Sequence, residues 1–303
     1  MRRSPADPGG RVDLARFAAE VGADGAVTVV GGRTQWDAGG AVDASAREVR
    51  APSGIFEFEP AEMTVRCGAG TTVDELDAVL GEHGQCVALS GDEGSTVGGV
   101  LAVGRSGVRR LRQGPMRDVL LQARYVSAEG RVIKGGGPTV KNVSGFDLCR
   151  LLVGSLGTLG FLGEVVLRCR PRPAAARWFA GGAEPFDLLQ RLHQPSSILW
   201  DGTTTWLLLE GHPADVEAQA GLAGLPEVDG PPPLPPGGRL SLRPSALRTL
   251  SGTFVAEVGV GVVHTAEPAP PRELEPGVAE LNRRVKRAFD PTGRLNPGRQ
   301  VAA

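Results

Sequence analysis

The chain has 303 residues, of which 41% are hydrophobic and 22% are charged, a balance typical of globular proteins that bury a core. Lys and Arg number 33 against 34 Asp and Glu, so the net charge of −1 gives no basis for binding nucleic acid or an anionic membrane. No run approaches the roughly 18 apolar residues that a membrane-spanning helix needs. The 44 glycines are about twice the usual share of roughly 7%, which indicates many tight turns or close backbone approaches.

The first 171 residues alternate between short predicted strands and helices. Apolar residues at helical spacing predict a helix within residues 11–22. Thr72 with Glu75 forms a capping box for a second helix, which should stop at Gly84. Apolar runs bounded by glycine or proline predict strands at residues 26–32, 55–59, 63–67, 85–89 and 161–171, and a hairpin over 119–134 that turns at 128–130.

From about residue 172 the composition changes. Residues 174–264 contain three tryptophans, one strand candidate with the sequence TTWLLLE, and a Pro-rich linker at 229–238 that should be stiff and extended. Residues 254–264 predict one further strand, in which glycines break the alternation. Apolar positions at helical spacing over 274–285 predict a C-terminal helix.

Three glycine-rich turns follow buried segments, at residues 31–36, 91–100 and 154–160. Backbone N–H groups in such turns form concavities that bind anions, and several hydroxyls add donors. None of the three contains the G-K-[ST] of a Walker loop, and no G-x-G-x-x-G opens a helix after the first strand. Tight turns explain each loop equally well by itself, whereas their repetition favours a diphosphate bound by the backbone.

Residues 141–167, KNVSGFDLCRLLVGSLGTLGFLGEVVL, resemble the segment that closes the PCMH-type FAD-binding domain. Vanillyl-alcohol oxidase, alkyl-dihydroxyacetonephosphate synthase and D-lactate dehydrogenases share this domain. STVGGVLAVGRSG (95–107) and GGRTQW (31–36) resemble its diphosphate loops, and FDPTGRLNPGR (289–299) resembles its returning tail. Within the family, the K-N-V-x-G-F-D-L spelling and the short length resemble the FAD-binding E subunits of glycolate oxidases.

The resemblance implies an α+β chain with the two-subdomain PCMH-type FAD-binding fold and a shortened α+β cap insertion. Residues 1–172 would form the FAD-binding domain and 173–270, with the linker at 229–238, a reduced cap on the substrate side. Residues 271–303 would be a helix and tail that return to the FAD domain.

The resemblance also assigns the cofactor-binding positions. The first loop would wrap the diphosphate, Thr96, Gly98 and Gly99 would donate N–H groups to it, and Ser106 with Gly107 would lie close to the ring system. The full set is Gly31, Gly32, Arg33, Thr34, Gln35, Trp36, Gly91, Ser95, Thr96, Gly98, Gly99, Gly104, Ser106, Gly107, Lys141, Asp147, Gly157 and Asn296.

Several of these residues have more than one interpretation. Arg33 could pair with the diphosphate or be a solvated arginine, and Asp147 should tie its loop by accepting backbone N–H bonds. Lys141 could meet Asp147, contact a flavin phosphate, or form a plain surface salt bridge. Neither loop carries the histidine or cysteine that holds the flavin in covalently flavinylated relatives, so the FAD should be noncovalent.

Of the four histidines, only His264, at the end of a strand leading back towards the FAD domain, is placed to act as a catalytic base. A structural histidine at a strand end is the commoner explanation of such a residue. The chain lacks the histidine-rich metal motif that catalytic relatives carry in their cap. Its four cysteines are far apart in sequence, without a C-x-x-C pair. We therefore expect no metal site, no iron–sulfur cluster and reduced thiols.

Three functions follow from the resemblance. The first is an FAD-binding subunit of a 2-hydroxy-acid (glycolate) oxidase or dehydrogenase complex, with a larger FAD subunit and an iron–sulfur subunit as partners and a small hydroxy acid as substrate. The second is a non-catalytic flavin-binding subunit for assembly or electron relay. The third is a stand-alone FAD-dependent dehydrogenase of another hydroxy acid or alcohol. The N-terminus has no apolar signal region, so we expect a cytoplasmic protein, peripheral to a membrane only through partners.

Overall fold

The computed structural model describes residues 14–137, 146–270 and 274–300, and the chain divides into two units. Unit 1 consists of Met1–Arg105, Met116–Arg172 and Arg272–Ala303. Unit 2 consists of Ser106–Pro115 and Pro173–Pro271. Residues 106–115 therefore belong to unit 2, although they interrupt unit 1 along the chain.

Unit 1 holds a two-stranded parallel sheet and a six-stranded antiparallel sheet. Its described elements are α1 (Leu14–Val21), β1 (Val27–Val29), β2 (Arg47–Val49), β3 (Ile55–Glu59), β4 (Thr64–Gly68), α2 (Val73–Gly81), β5 (Gln85–Val87), α3 (Val97–Val103), a 3-10 turn (Met116–Asp118), β6 (Leu120–Val126), β7 (Val132–Gly136), α5 (Leu148–Leu152), β8 (Phe161–Pro171) and α8 (Pro276–Phe289). The larger sheet runs β3-β4-β8-β6-β7, and β5 also pairs with β8.

The strand β8 organises unit 1, because its eleven residues pair with β4, β5 and β6. Its alternate residues Val165 and Leu167 are fully buried in a core shared with Leu76 of α2. The predicted cap of α2 is confirmed, since the Thr72 hydroxyl accepts a hydrogen bond from the Glu75 amide at 3.1 Å. Strands predicted at 55–59 and 161–171 and the hairpin with its turn at 128–130 are likewise confirmed.

One charged side chain ties the C-terminal tail to the rest of unit 1. Arg294 is 5% exposed, and its guanidinium donates hydrogen bonds to five backbone carbonyls at 2.7–3.2 Å. Those carbonyls belong to Val21, Gly22, Asp24, Gly25 and Ala128. The five acceptors offset part of the desolvation cost of the buried cation, and the same burial lowers the pKa of Arg294.

Unit 2 is built on one antiparallel sheet of seven strands, in the order β12-β9-β11-β10-β14-β15-β13. Its described elements are α4 (Arg110–Gln113), β9 (Ala175–Gly181), α6 (Pro185–Arg191), β10 (Ser197–Trp200), β11 (Thr205–Gly211), α7 (Pro213–Ala223), β12 (Glu227–Val228), β13 (Gly238–Ser241), a 3-10 segment (Pro244–Thr249), β14 (Phe254–Glu257) and β15 (Val262–Thr265). A core that includes Phe179, Leu207 and Ala256 lies on one face of this sheet.

The sequence interpretation of unit 2 was wrong in its number of strands. It gave one strand over 204–210 and one over 254–264, whereas the second of these is the hairpin β14–β15, in which Ala256 pairs with Val263. Gly259 and Gly261 have φ angles of +83° and +85°, and this left-handed backbone turns the chain between the two strands. The remaining strands escaped prediction because several have only two to four residues.

Candidate functional site

The first glycine loop follows β1 in unit 1. Val30 donates its amide to the Val49 carbonyl at 2.8 Å. Beyond it, no residue in the described ranges accepts a hydrogen bond from the amides of residues 31–35. Arg33, in the middle of this run, has a φ of +58°, an unusual conformation for a residue with a side chain. Five successive N–H groups are therefore left for an anion.

The second loop ends in the helix α3, which the sequence analysis had taken as part of the loop. Thr96 is the N-cap of α3, and its hydroxyl accepts from the Gly99 amide at 3.2 Å. The Gly98 amide donates to the Ala69 carbonyl at 2.7 Å. Both amides are thus engaged within the protein, contrary to the donor role that we expected of them. Gly98 instead supplies clearance, because a Cβ there would lie 2.9 Å from the carbonyl oxygen of Ala69.

The first two loops lie against each other. A Cβ on Gly31 would collide with the Thr96 hydroxyl, and one on Gly32 would collide with the backbone of the second loop. The hydroxyls of Thr34 and Ser95 are 2.7 Å apart and share a hydrogen bond. Glycine is therefore required at these two positions so that the loops can approach.

The third loop follows the short helix α5. Asp147 accepts a hydrogen bond from the Arg150 amide at 3.2 Å, which confirms that its carboxylate ties the start of this segment. Beyond the helix, the Leu156 amide donates to the Ala102 carbonyl at 2.8 Å, so this loop is attached to α3. Leu156 and Gly157 have φ angles of +52° and +68° and together form a left-handed turn.

The C-terminal tail joins the strand β1, which leads into the first loop, to the third loop through Asn296. Its amide donates to the Val27 carbonyl at 2.9 Å, and its side-chain oxygen accepts from the Val29 amide at 3.3 Å. Its Nδ2 donates to the Leu156 carbonyl at 2.5 Å. Segments that are far apart in sequence, at residues 27–36, 96–103, 152–162 and 296–299, are thereby held around one space.

That space is a cleft with an empty volume of about 920 Å³, which includes the part open to solvent. Eleven of the predicted residues line it: Gly31, Gly32, Arg33, Thr34, Gln35, Trp36, Thr96, Gly98, Gly99, Gly157 and Asn296. Of the five non-glycine residues with positive φ in the described ranges, Arg33, Leu156 and Asn296 line the cleft. Such strained positions concentrate at functional sites.

Two sequence profiles match the chain. One describes an FAD binding domain and matches residues 5–136; the other describes the C-terminal domain of FAD linked oxidases and matches residues 245–300. Together they cover well over half of the chain. The chain belongs to the FAD-linked oxidase family.

Curated relatives agree with the profiles. The chain is 34% identical over 193 residues to the glycolate oxidase subunit GlcE of Escherichia coli, a match that covers 60% of this chain and 55% of GlcE. It is 41% identical over 118 residues to a D-lactate dehydrogenase of Archaeoglobus fulgidus, which covers 39% of this chain and 27% of that protein. The chain thus spans about half or less of the length of these relatives.

A solved structure of alkyldihydroxyacetonephosphate synthase shares the fold. Its TM-score is 0.65 at 15% sequence identity, and the match covers 94% of this chain and 73% of that one. The expected PCMH-type FAD-binding fold, α+β in class, is confirmed.

The polar atoms of the cleft suit the FAD that this family binds. The hydroxyl of Thr28 and the side-chain oxygen of Gln35 are buried and have no hydrogen-bond partner among the described residues. Both residues line the cleft beside the free amides of residues 31–35. Buried polar groups are normally paired, so these atoms indicate a polar ligand. The amides provide anion donors for a diphosphate, and the largely apolar remainder provides surface for rings.

The other predicted residues that the structure describes are not in the cleft lining. Four of them belong to unit 1 and lie in or next to the loops without lining the cleft: Gly91, Ser95, Gly104 and Asp147. Gly104, for example, ends α3 with a φ of +69°. Ser106 and Gly107 belong to unit 2, and their contact with the flavin ring stays a prediction. Lys141 lies outside the described residues, and so does any pairing that it makes.

Several residues that line the cleft were not predicted from the sequence, among them Thr28, Leu156 and Arg299. Thr28 lies within the predicted strand, and Leu156 is one letter of a motif that was interpreted through its glycines. Arg299 follows Asn296 in the quoted tail, and its positive charge beside that residue was the signal that could have found it.

His264 lies in unit 2, on the sheet strand β15. Its Nε2 is 3.0 Å from Oε1 of Glu257, on the adjacent strand β14. Glu257 is 2% exposed, and its other oxygen, Oε2, has no partner among the described residues. Across the strand pair β13–β15, Arg239 stands directly opposite His264. Glu257, the carboxylate of this pair, was not predicted from the sequence.

A search of the described residues finds no cluster of three or more His, Cys, Asp or Glu arranged to hold a metal ion. In the same residues, no helix combines the length and the apolar character needed to cross a membrane.

Proposed function

We propose that the chain is the FAD-binding subunit of an enzyme complex that oxidises a small 2-hydroxy acid such as glycolate. It binds FAD noncovalently in the cleft of unit 1 and passes the electrons to partner subunits. The similarity to GlcE, a protein named as a glycolate oxidase subunit, supports the complex. Similarity to D-lactate dehydrogenases supports the substrate class.

The observation that carries the proposal is the run of free amides at residues 31–35, next to the orphaned Thr28 hydroxyl. Successive N–H groups pointing to one place form an anion site without any basic side chain. A dinucleotide diphosphate meets this donor set, and the lack of a covalent anchor in the loops fits dissociable FAD. A 2-hydroxy-acid oxidase uses such a flavin as its two-electron acceptor.

Within this function, His264 would take the hydroxyl proton of the substrate. Its hydrogen bond to the buried Glu257 carboxyl group would fix the ring and stabilise the imidazolium that forms when the proton arrives. Arg239, opposite His264 on the sheet, would attract the substrate carboxylate. Oxidation also removes hydrogen from the hydroxyl-bearing carbon as a hydride equivalent, which FAD accepts when bound.

The test is anaerobic mixing of the FAD-loaded chain with glycolate or D-lactate, followed by the loss of the oxidised-flavin absorbance. Bleaching by the isolated chain supports catalysis by this subunit. Bleaching only after the partner subunits are added indicates a dependent role, as an assembly or relay subunit. No bleaching in either case, with FAD bound, overturns the proposed substrate class.

A second comparison tests His264 itself. Replacing a general base lowers the rate by about 10²- to 10⁴-fold, so His264→Asn should slow flavin reduction by that factor with FAD still bound. His193→Gln is the matched control, since His193 is exposed in the same unit. Equal rates in the two variants would remove His264 from the reaction.

The cytoplasmic location also stays a proposal. All four cysteines are free thiols in the structure, and three of them are buried. Proteins of reducing compartments commonly keep their cysteines in this state.

A further inference from the structure

Two arginines and a tryptophan meet in the wall of the cleft. The guanidinium carbon of Arg299 is 4.7 Å from the centroid of the Trp36 ring, and that of Arg33 is 5.0 Å from it. All three residues line the cleft. Such cation–π contacts hold a guanidinium in place while its N–H groups stay available.

The two arginines differ in how their charges are compensated. Arg33 forms an ion pair with Glu48. No carboxylate of the described residues comes within 4.0 Å of Arg299, and the half-buried position lowers the pKa of its guanidinium by desolvation. Arg299 is therefore the less compensated cation of the cleft wall.

The hydrogen bonds of Arg299 leave part of its guanidinium available. Its Nη1 donates to the carbonyls of Ala38, at 2.7 Å, and Gly40. Neither Nε nor Nη2 has an acceptor within the described ranges. The guanidinium that carries these donors adjoins Trp36, directly after the amides of residues 31–35. The same region therefore offers free N–H groups and a positive charge that forms no ion pair within 4.0 Å, with Asp37 as the carboxylate that acts on it from farther away.

We propose that Arg299 binds the negatively charged diphosphate of the dinucleotide, with Nε and Nη2 as donors, as a cofactor-positioning residue of the tail. This inference rests on FAD occupying the cleft of unit 1. A purely structural role, in which Arg299 only fixes the turn at Ala38 and Gly40, is the competing explanation.

The experiment compares the binding of two flavins to the flavin-stripped chain. FAD carries the diphosphate and riboflavin does not. Hydrogen bonds to a charged group stabilise a complex more than those between neutral groups, so Arg299→Gln should weaken FAD binding by about 10- to 100-fold. Riboflavin binding should change by less than about threefold, since no phosphate is involved. Arg299→Lys keeps the charge and should recover part of the loss. Arg283→Gln removes the same charge from the exposed side of α8 and should leave both affinities unchanged.

The results distinguish diphosphate binding by Arg299 from a purely structural role. If Arg299→Gln weakens FAD and riboflavin equally, the residue only holds the turn, and the inference is overturned. Unchanged FAD binding also overturns it. Riboflavin binding by the variant reports that the cleft is still folded. Failure of the unmodified chain to bind FAD would refute the cofactor site itself, an outcome distinct from failure of the variant alone.

Discussion

Asn296 is the residue through which the tail contacts both β1, which leads into the first loop, and the third loop, and its replacement gives a quantitative test of the site. Asn296→Ala deletes the hydrogen bonds to Leu156 and Val29, and each is worth about 0.5–1.5 kcal/mol. An alanine at a φ of +45° adds about 1–2 kcal/mol. The expected loss of stability in unit 1 is therefore about 2–5 kcal/mol.

Asn296→Gly separates the two contributions. It deletes the same hydrogen bonds but avoids the conformational cost of alanine in the left-handed region. The greater freedom of glycine in the unfolded chain lowers the stability by about 0.4–1 kcal/mol, which offsets part of this advantage over alanine. The glycine variant should therefore be the more stable of the two by roughly 0.5–1 kcal/mol. Asn296→Asp keeps the acceptor for Val29 but places a negative charge in the cleft, so it should weaken FAD binding more than it weakens the fold.

The assay must report on unit 1 alone, because the chain has two units. Hydrogen exchange of the hydrogen-bonded amides in residues 27–30, measured by mass spectrometry in the flavin-stripped protein, gives the local opening free energy. FAD affinity comes from a fluorescence titration. If the alanine and glycine variants exchange as slowly as the unmodified chain, the tail does not hold the loops and the reasoning fails. An aspartate variant that binds FAD normally would remove Asn296 from the cofactor site.

Three further outcomes are expected. Gly98→Val and Gly157→Val should each lose FAD, since even their Cβ atoms would lie 2.9 Å from Ala69 and 2.6 Å from Asn296; stoichiometric FAD in both variants would contradict the placement of the cleft. Acid precipitation should leave a colourless pellet and a yellow supernatant, whereas colour retained in the pellet would indicate a covalent flavin. Burial raises the pKa of Cys67 and Cys169 to about 12 and that of Cys149 to about 11, from 9.0. The folded thiols stay protonated when the unfolded ones ionise, so stability is intact below pH 9 and falls as the pH rises above it. At pH 10 the loss from Cys67 should be about 1.4 kcal/mol, and urea unfolding of Cys67→Ala should show a smaller fall between pH 8 and pH 10 than the unmodified chain; an equal fall would contradict the assignment.

The sequence predicted unit 1 well, because its signals are local and strong. The run at 161–171 is eleven residues of almost uninterrupted burial, and Thr72 stands three residues before its capping partner. Unit 2 was predicted poorly, since strands such as Glu227–Val228 are too short to show a period. Their pairing depends on neighbours that are distant in the chain.

The candidate site likewise contains some features that the sequence predicted and others that it could not. Glycines at 31 and 32 were found by pattern, and the structure gives the reason, a close approach between two loops. The engaged amide of Gly98 could not be foreseen, because its acceptor, Ala69, lies 29 residues earlier in a different segment. Arg299 and Trp36 are separated by most of the sequence, and only the folded tail brings them together.

The position of the tail also bears on the order of events during synthesis. Residues 294–296 bond to β1 and complete the wall of the cleft. They are synthesised near the end of the chain, and of the residues that line the cleft only Arg299 follows them. Unit 2 is finished before them, since it ends at Pro271. A nascent chain can therefore assemble its seven-stranded half early, yet capture of the flavin has to wait until translation has passed the last wall segment.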